Sequence, residues 1–511
     1  MSILAVDVGS SRCKAVLFSV TGEILSQSAR QYTPQFSQPG FAEVAPLVLW
    51  EALCATAHGA TRGAGRDPVQ AVCIASHAET FVCVDRHNQP LAPAILNMDS
   101  RAAAEAAWFE AQFGRRRIFE ITGHIPHPMY PILKILWLKQ HCSGMFAEVK
   151  RFLGITDFLL ALLGLPPYID YSLISRWLVF DVRRVCWSDE ILSGVGLAQE
   201  RLPIPVPAGT IAGKLSAEAA GQIGVPAGTP MVVGGHDQPC GALGVGLVRS
   251  GRVADSMGTY ECLLASSSQP TLSEAAYAAS LNSYAHVVPG QFVTLAYFPS
   301  GIMVSWLHDL LYGEGQASGE NVSEMEDYSR LEARAPAEPT GICVLPHLIG
   351  TCNPDFNPRA RGTIFGLTPA NTREQLYKAV LEGIACELSL MSEILSRAVG
   401  DFKDVYGSGG GTRSSLGLRL RAALSGRRFH VMRCQEAVCL GAAILAGVAT
   451  GIYSSFAEAI GALVREESVV EPDPALAADY TAQVRQYRSL YPALAPVRDI
   501  PAHFAKGGEP Q

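Results

Sequence analysis

The sequence predicts an α/β protein made of two similar halves that face each other across a cleft, and three observations carry that expectation. At 511 residues the chain is too long for one ordinary domain, so two large units are the natural division. A short apolar strand, Ile3-Leu-Ala-Val-Asp7, opens the chain and runs into Gly9-Ser10-Ser11. Near the middle, Val253-Ala-Asp255-Ser-Met runs into Gly258-Thr259 in the same manner. No residue-level repeat links the halves, so the duplication rests on these two turns and their placement. The boundary falls near residues 245–253, giving units 1–248 and 249–496 followed by a loose tail, 497–511.

In order, the first turn leads to a strand at 15–18, and Thr21-Gly22 turns the chain into a third, which makes a meander. Strands follow at 71–75 and 81–84, and 102–113 is rich in the helix formers Ala and Glu. Residues 231–235 form an apolar strand ending at His236-Asp237. The second half continues with strands at 253–257 and 261–264 and a long amphipathic helix over 375–398. A strand ending at Val405-Tyr406 then meets the cluster Gly407-Ser-Gly409-Gly410-Gly411, with a helix from about Ser414. The final helix starts at Glu436 and ends near Thr450-Gly451.

Composition removes several classes of function. Nearly half the chain is hydrophobic and 17% is charged, which suits a well-buried globular protein. Net charge is −7 and no basic run exceeds Arg115-Arg-Arg117, which argues against a nucleic-acid or anionic-membrane partner. A phosphate ligand stays open, because backbone N–H groups bind it without bulk positive charge. Thirteen cysteines without a CxxC pair read as reduced thiols of a cytoplasmic protein, not as a disulfide or zinc framework. The N-terminus has no basic segment before its apolar run and does not read as a signal peptide. The uncharged stretch 437–457 is too short in its helical part for a membrane span and reads as a buried helix. Oligomeric state is not fixed; a homodimer is one option.

Glycine-rich turns after strands let backbone N–H groups approach phosphate oxygens, since no Cβ intervenes. Three such turns occur, at Gly9-Ser-Ser11, Gly258-Thr259 and Gly409-Gly-Gly411. Each alone reads first as a plain hairpin or strand–helix turn; together they would enclose a nucleotide between the halves. Gly209-Thr-Ile-Ala-Gly213-Lys214-Leu215 falls one residue short of a Walker A loop and lacks its Ser/Thr. The 407–411 cluster is not GxGxxG, and the strand after it ends in Arg433 rather than an acidic ribose ligand, so a dinucleotide oxidoreductase fits poorly. Asp237 ends an apolar strand, where a carboxylate is expensive to bury. On that context alone it is either a general base or the cap of a helix starting near Pro239. His236 would point the other way from an extended strand and is given no catalytic role.

Two longer patterns go further. Met129-Tyr-Pro131-Ile-Leu-Lys134-Ile-Leu-Trp137-Leu-Lys-Gln-His141 is one; Gly362-Thr-Ile-Phe-Gly366-Leu367, seven residues, then Gln375-Leu-Tyr-Lys-Ala379-Val-Leu-Glu382 is the other. Through them the chain resembles the FGGY carbohydrate kinases, the group that includes glycerol kinase, xylulokinase, gluconokinase and ribulokinase. The likeness extends to residues 7–14, Pro39-Gly-Phe-Ala-Glu43, the Asp237 strand, the glycine turns and Leu440-Gly-Ala-Ala-Ile-Leu-Ala-Gly447, nearly the whole chain. It implies two RNase H-like domains of the actin/hexokinase type with an interdomain cleft. It also implies ATP-dependent phosphorylation of a hydroxyl on a small sugar or polyol, with Mg²⁺.

By matching position, Asp7 would act at the Mg²⁺, with Gly9, Ser10 and Ser11 around the terminal phosphates and Lys14 as their cation. Gly258 and Thr259 would hold phosphates from the second domain, and Gly410, Gly411 and Ser415 would lie along the adenosine. The resemblance makes Asp237 the base. On the acceptor side Glu79 is kept, but Ala78, Asn97 and Met129 stand where glycerol kinases carry arginine, tryptophan and tyrosine. With Gln238 beside the base, these replacements point to a ketose or a four- to six-carbon polyol rather than glycerol. The family's Glu-Arg-x-Pro stretch is changed to Thr351-Cys-Asn-Pro354. The alternatives are a non-catalytic sugar or nucleotide sensor on the same fold, or a glycerol kinase. A chaperone-type ATPase would need a further peptide-binding module.

Overall fold

The computed structural model describes residues 1–62, 67–313 and 323–498. Two mixed sheets organise the chain. In the first, Ser2–Val8, Arg12–Ser19 and Ile24–Gln31 form an antiparallel meander, Val69–Ser76 joins Ser2–Val8 in parallel, and Pro230–His236 joins Val69–Ser76 in parallel. In the second, Arg252–Met257, Tyr260–Ser267 and Phe292–Pro299 form the meander. Asp404–Ser408 then adds in parallel to Arg252–Met257, and Arg428–Met432 to Asp404–Ser408. The five strands have one topology in both halves, which is the duplication expected from the two turns. Ile211–Lys214 extends the first sheet; Asn282–Ala285 and Glu466–Val470 extend the second.

The central strands are apolar on both faces because helices cover both faces. Helix Pro46–Thr61 packs Leu49, Ala52, Leu53, Ala57 and Ala60 against one side of the first sheet. The other side, including Ile3, Ala5, Val16, Phe18 and Cys73, is covered by helix Ala437–Ala449 from the far end of the chain. That helix is buried as the sequence predicts, and its thirteen residues span only about 20 Å. Among the described residues no helix is long and apolar enough to cross a membrane. In the second half, helix Arg373–Val399 buries most of its length against the sheet and Cys343–Leu345.

The two halves meet where helix Asp237–Gly244 lies against helix Ala437–Ala449, each following the last parallel strand of its sheet. A Cβ on Gly244 would fall 1.9 Å from the carbonyl oxygen of Ala437, and one on Gly441 would fall 1.9 Å from that of Cys240. Only glycine permits this approach.

The helix from Glu436 is not the last one. Phe456–Leu463, Pro474–Asp479, Thr481–Ala493 and Ala495–Arg498 follow it. All but Thr481–Ala493 are short and each buries few side chains, so they carry little periodic signal, but Ser455 and Asp473 cap the first two. Of the expected tail, 497–498 belong to the last helix and 499–511 lie outside the described residues. All thirteen cysteines are free.

Candidate active site

Strand Pro230–His236 passes directly into helix Asp237–Gly244, so Asp237 occupies the helix's first turn, where the macrodipole favours a carboxylate. It is not a helix cap: the residue at the cap position is His236, and no side chain caps this helix. The change from extended to helical backbone at this junction also overturns the expectation that His236 points away. Strand alternation stops there, and His236 Nε2 lies 3.0 Å from Asp237 Oδ1. The backbone N–H of His236 donates to Ser172 Oγ at 2.9 Å, and its ring lies 5.7 Å from that of Tyr284. Asp170 in turn caps helix Tyr171–Ser175 through the Ser172 and Leu173 N–H groups. The segment 170–176 therefore braces the strand end that carries Asp237.

Asp7 and Asp237 stand at the ends of strands separated by Val69–Ser76, close enough to influence each other's ionisation. Burial, then the charge of Asp237, pushes the Asp7 carboxyl up to about 8, against the pull of Lys14. Burial also opposes ionisation of Asp237. The adjacent His236, His77 and the Gln238 backbone N–H outweigh it and hold that carboxyl below its ordinary value. Two neighbouring carboxyls are thus driven apart, one proton-holding and one ionised. Among the described residues Asp7 Oδ1 is buried without a hydrogen-bond partner. A partnerless carboxylate oxygen with a raised proton affinity is a fit donor for a hard divalent cation such as Mg²⁺, which takes one or two carboxylates plus water and phosphate.

Lys14 pairs with Asp7 across the first hairpin, and its ammonium reaches Glu436 Oε2 at 2.5 Å. In the intervening turn the Gly9 N–H donates to Arg12 O, and the Tyr32 hydroxyl donates to Gly9 O; Ser10 is half-buried and Ser11 exposed. In the second half the Gly258 N–H donates to Tyr260 O at 3.0 Å, leaving Gly258 and Thr259 exposed. This turn abuts the triple glycine. Gly409 has φ +92°, and a Cβ there would meet Met257 O at 2.8 Å; one on Gly411 would meet Met257 Cβ at 2.7 Å. Gly410 is exposed with open space around it, and Ser415 is the exposed first residue of helix Ser415–Ser425.

On the acceptor side Glu79 is buried and adopts φ +61°, an uncommon conformation for a non-glycine residue. Lys134 fixes it there. Its buried ammonium donates to the carbonyls of Glu79 and Leu96, both at 2.8 Å, locking together the loops that carry Glu79 and Asn97. Burial pulls Lys134 down to about 7. His77 adds a second tie: Nδ1–H donates to Val8 O, and Nε2 accepts from the Thr80 hydroxyl, whose oxygen accepts the Asn97 N–H. Asn97 Oδ1 accepts the Met98 N–H, Met129 is half-buried, and Gln238 Oε1 is a buried acceptor without a partner.

Arg176, His77 and Tyr284 escaped the sequence reading, and His236 was set aside in it. His77 and His236 flank residues that it singled out, so proximity to Ala78 and Asp237 was an available signal. Arg176 donates Nε–H to Glu79 Oε1 from 97 positions away, and no motif contains it.

The family model for the FGGY family of carbohydrate kinases, N-terminal domain, matches residues 2–244, and that for the C-terminal domain matches 253–450. The chain belongs to the FGGY family of carbohydrate kinases. It is accordingly a phosphotransferase with an alcohol group as acceptor. Among its relatives, gluconokinase of Bacillus subtilis is 26% identical over 96% of this chain and 94% of its own length. Xylulose kinase of Escherichia coli is 28% identical over 97% and 99%. Autoinducer-2 kinase of Escherichia coli is 27% identical over 92% and 90%. The fold matches that of a solved xylulose kinase from Lactobacillus acidophilus, with TM-score 0.86, 23% identity, and 97% and 98% coverage. It also matches Plasmodium falciparum glycerol kinase with ADP, with TM-score 0.83, 20% identity, and 98% coverage of each chain. The architecture is the two-domain actin/hexokinase type.

Proposed function

We propose that this chain transfers the γ-phosphoryl group of ATP to a hydroxyl of a small sugar, a ketose such as a pentulose, or a polyol, with Asp237 as general base. The observation that carries the reading is the divided pair of carboxyls. Asp237 is held ionised at a helix N-terminus and can take the hydroxyl proton as the oxygen attacks, while Asp7 keeps an oxygen free. Gluconokinases and xylulose kinases among the relatives support small polyhydroxylated acceptors.

In this reading Glu79, Asn97, Met129 and Gln238 surround the acceptor. Gly9, Ser10, Ser11 and Lys14 face the terminal phosphates, and Gly258 and Thr259 approach them from the second half. Gly410, Gly411 and Ser415 run beside the adenosine. Asp7 would hold Mg²⁺, which when bound neutralises charge on the phosphates. Phosphoryl transfer needs positioning and charge neutralisation more than covalent chemistry, and backbone turns with one base supply both. Residues 1–248 would then carry the acceptor and base, and 249–496 the nucleotide. Free thiols and the lack of a membrane-crossing helix among the described residues support a cytoplasmic setting.

Asp237→Asn keeps the size of the side chain and removes the proton acceptor. Assayed with pentuloses, polyols and aldonates, its kcat should fall about 10²–10⁴-fold while ATP affinity changes little. Undiminished kcat would overturn the assignment of the base.

A further inference from the structure

Arg176 is a buried cation of the proposed acceptor site, 3% exposed, at the C-terminal end of helix Tyr171–Ser175. Its guanidinium lies between two rings, 5.4 Å from the centroid of Tyr130 and 5.2 Å from that of Tyr284. Nε–H is committed to Glu79, but Nη1 is buried with no partner among the described residues. The two tyrosines differ in the same way. The Tyr130 hydroxyl donates to Asn282 Oδ1 at 3.0 Å, whereas the Tyr284 hydroxyl is fully buried and bonds to nothing. Tyr284 also packs on His236, beside Asp237. Buried donors are rarely left unmade, and two of them on either side of one contact, next to the proposed base, call for a ligand oxygen.

We propose that Arg176 Nη1 and the Tyr284 hydroxyl are specificity-determining donors that bind oxygen atoms of the acceptor, and that the Glu79–Arg176 pair restricts the acceptor to uncharged ketoses and polyols over aldonates. The inference deepens the kinase reading and rests on it. Arg176 is already neutralised by Glu79, so it offers hydrogen bonds without net charge. Among the described residues the other basic groups beside this contact are spent or neutral, and His236 is paired with Asp237. Lys134 is bound by two carbonyls and pulled down by burial, and burial lowers His124 and His127 as well. An acceptor carboxylate would meet Asp237 with no free cation to offset it, and desolvating it there is unfavourable. Hydroxyl and keto oxygens suit planar, fixed donors.

Tyr284→Phe removes only the unpartnered hydroxyl. The melting temperature should stay or rise, while the sugar KM rises about 10-fold and the ATP KM stays within about two-fold. Arg176→Lys keeps the charge but loses the fork, and kcat/KM for the sugar should fall about 10²-fold. Glu79→Gln leaves Arg176 unneutralised and should raise the ratio of aldonate to polyol kcat/KM at least about 10-fold. Sugar affinity unchanged in Tyr284→Phe, or an aldonate as the best wild-type acceptor, would overturn the inference. Calorimetric sugar binding to Tyr284→Phe needs no turnover, so it tests this inference apart from the kinase reading, which stands or falls on turnover in Asp237→Asn.

Discussion

Lys14 and Glu436 form an ion pair at 2.5 Å between segments 422 residues apart, each side chain about one-fifth exposed. The pair ties the first hairpin to the N-terminal end of the helix that covers the opposite side of its sheet. It also means that the proposed phosphate cation is already partnered by an anion. Glu436→Gln should free Lys14 and lower the ATP KM about two- to five-fold, a partly exposed pair being worth up to about 1 kcal/mol. Lys14→Met should raise the ATP KM about 10-fold, with sugar KM within about two-fold in both. A rise in ATP KM on Glu436→Gln would mean that the pair itself builds the nucleotide site.

Lys134 is the only donor described for the carbonyl of Glu79, and it shares the carbonyl of Leu96 with the Asp99 N–H, so Lys134→Met should leave the Glu79 oxygen poorly satisfied and release Glu79 from its left-handed backbone. Stability should drop by roughly 2–4 kcal/mol in denaturant unfolding, and the sugar KM should climb more than about 10-fold with ATP KM unaffected. Sugar affinity that survives the substitution would show that Glu79 holds its own conformation.

Asp157 gives a pH signature away from the chemistry. One carboxyl oxygen accepts the Gly154 N–H, the other is partnerless, and burial pushes the group up to about 8. The folded state therefore keeps a proton that the unfolded chain releases, so this residue's contribution is intact below about pH 4 and lost as pH rises through about 8. Asp157→Asn should gain roughly 1–3 kcal/mol over wild type at pH 8, with the gain closing towards pH 4. Thermal melts at pH 4, 6 and 8 check the sign; a larger gain at acid pH would contradict it.

In the proposed acceptor site Asn97, Met129 and Ala78 would stand in place of a larger, partly apolar wall, and Gln238 Oε1 still needs a donor. Glycerol is too short to reach all these groups, so its kcat/KM should lie at least about 10²-fold below that of the best pentulose or longer polyol. Direct comparison of the two rates decides the point, and glycerol as the best acceptor would reverse it.

The parts of this molecule legible in sequence were the local ones. The Asp7 and Asp255 turns announced both meanders because a strand, a carboxylate and a glycine fall within a few residues. The long helix Arg373–Val399 was plain from its periodicity. His236 was misread because alternation was carried one residue beyond the point where the strand becomes a helix. Arg176 left no trace, since its partner Glu79 and its rings Tyr130 and Tyr284 come from three other segments, brought together only by tertiary packing. The small helices after Gly451 bury too few residues to write a pattern.

The contact of Gly244 with Ala437 and of Gly441 with Cys240 puts main chain on main chain, with no side chain to yield. Such a junction behaves as a fulcrum: the helices can tip, but a slide of even a fraction of an ångström drives atoms together. Opening and shutting of the cleft would then be a rocking motion about this point. Asp237 begins one of the two helices and would sit beside the fulcrum, where displacement is least, while the turns at 258–259 and 409–411 would ride on the other arm. In such a machine the proposed base would stay at rest, and the nucleotide would be carried to it.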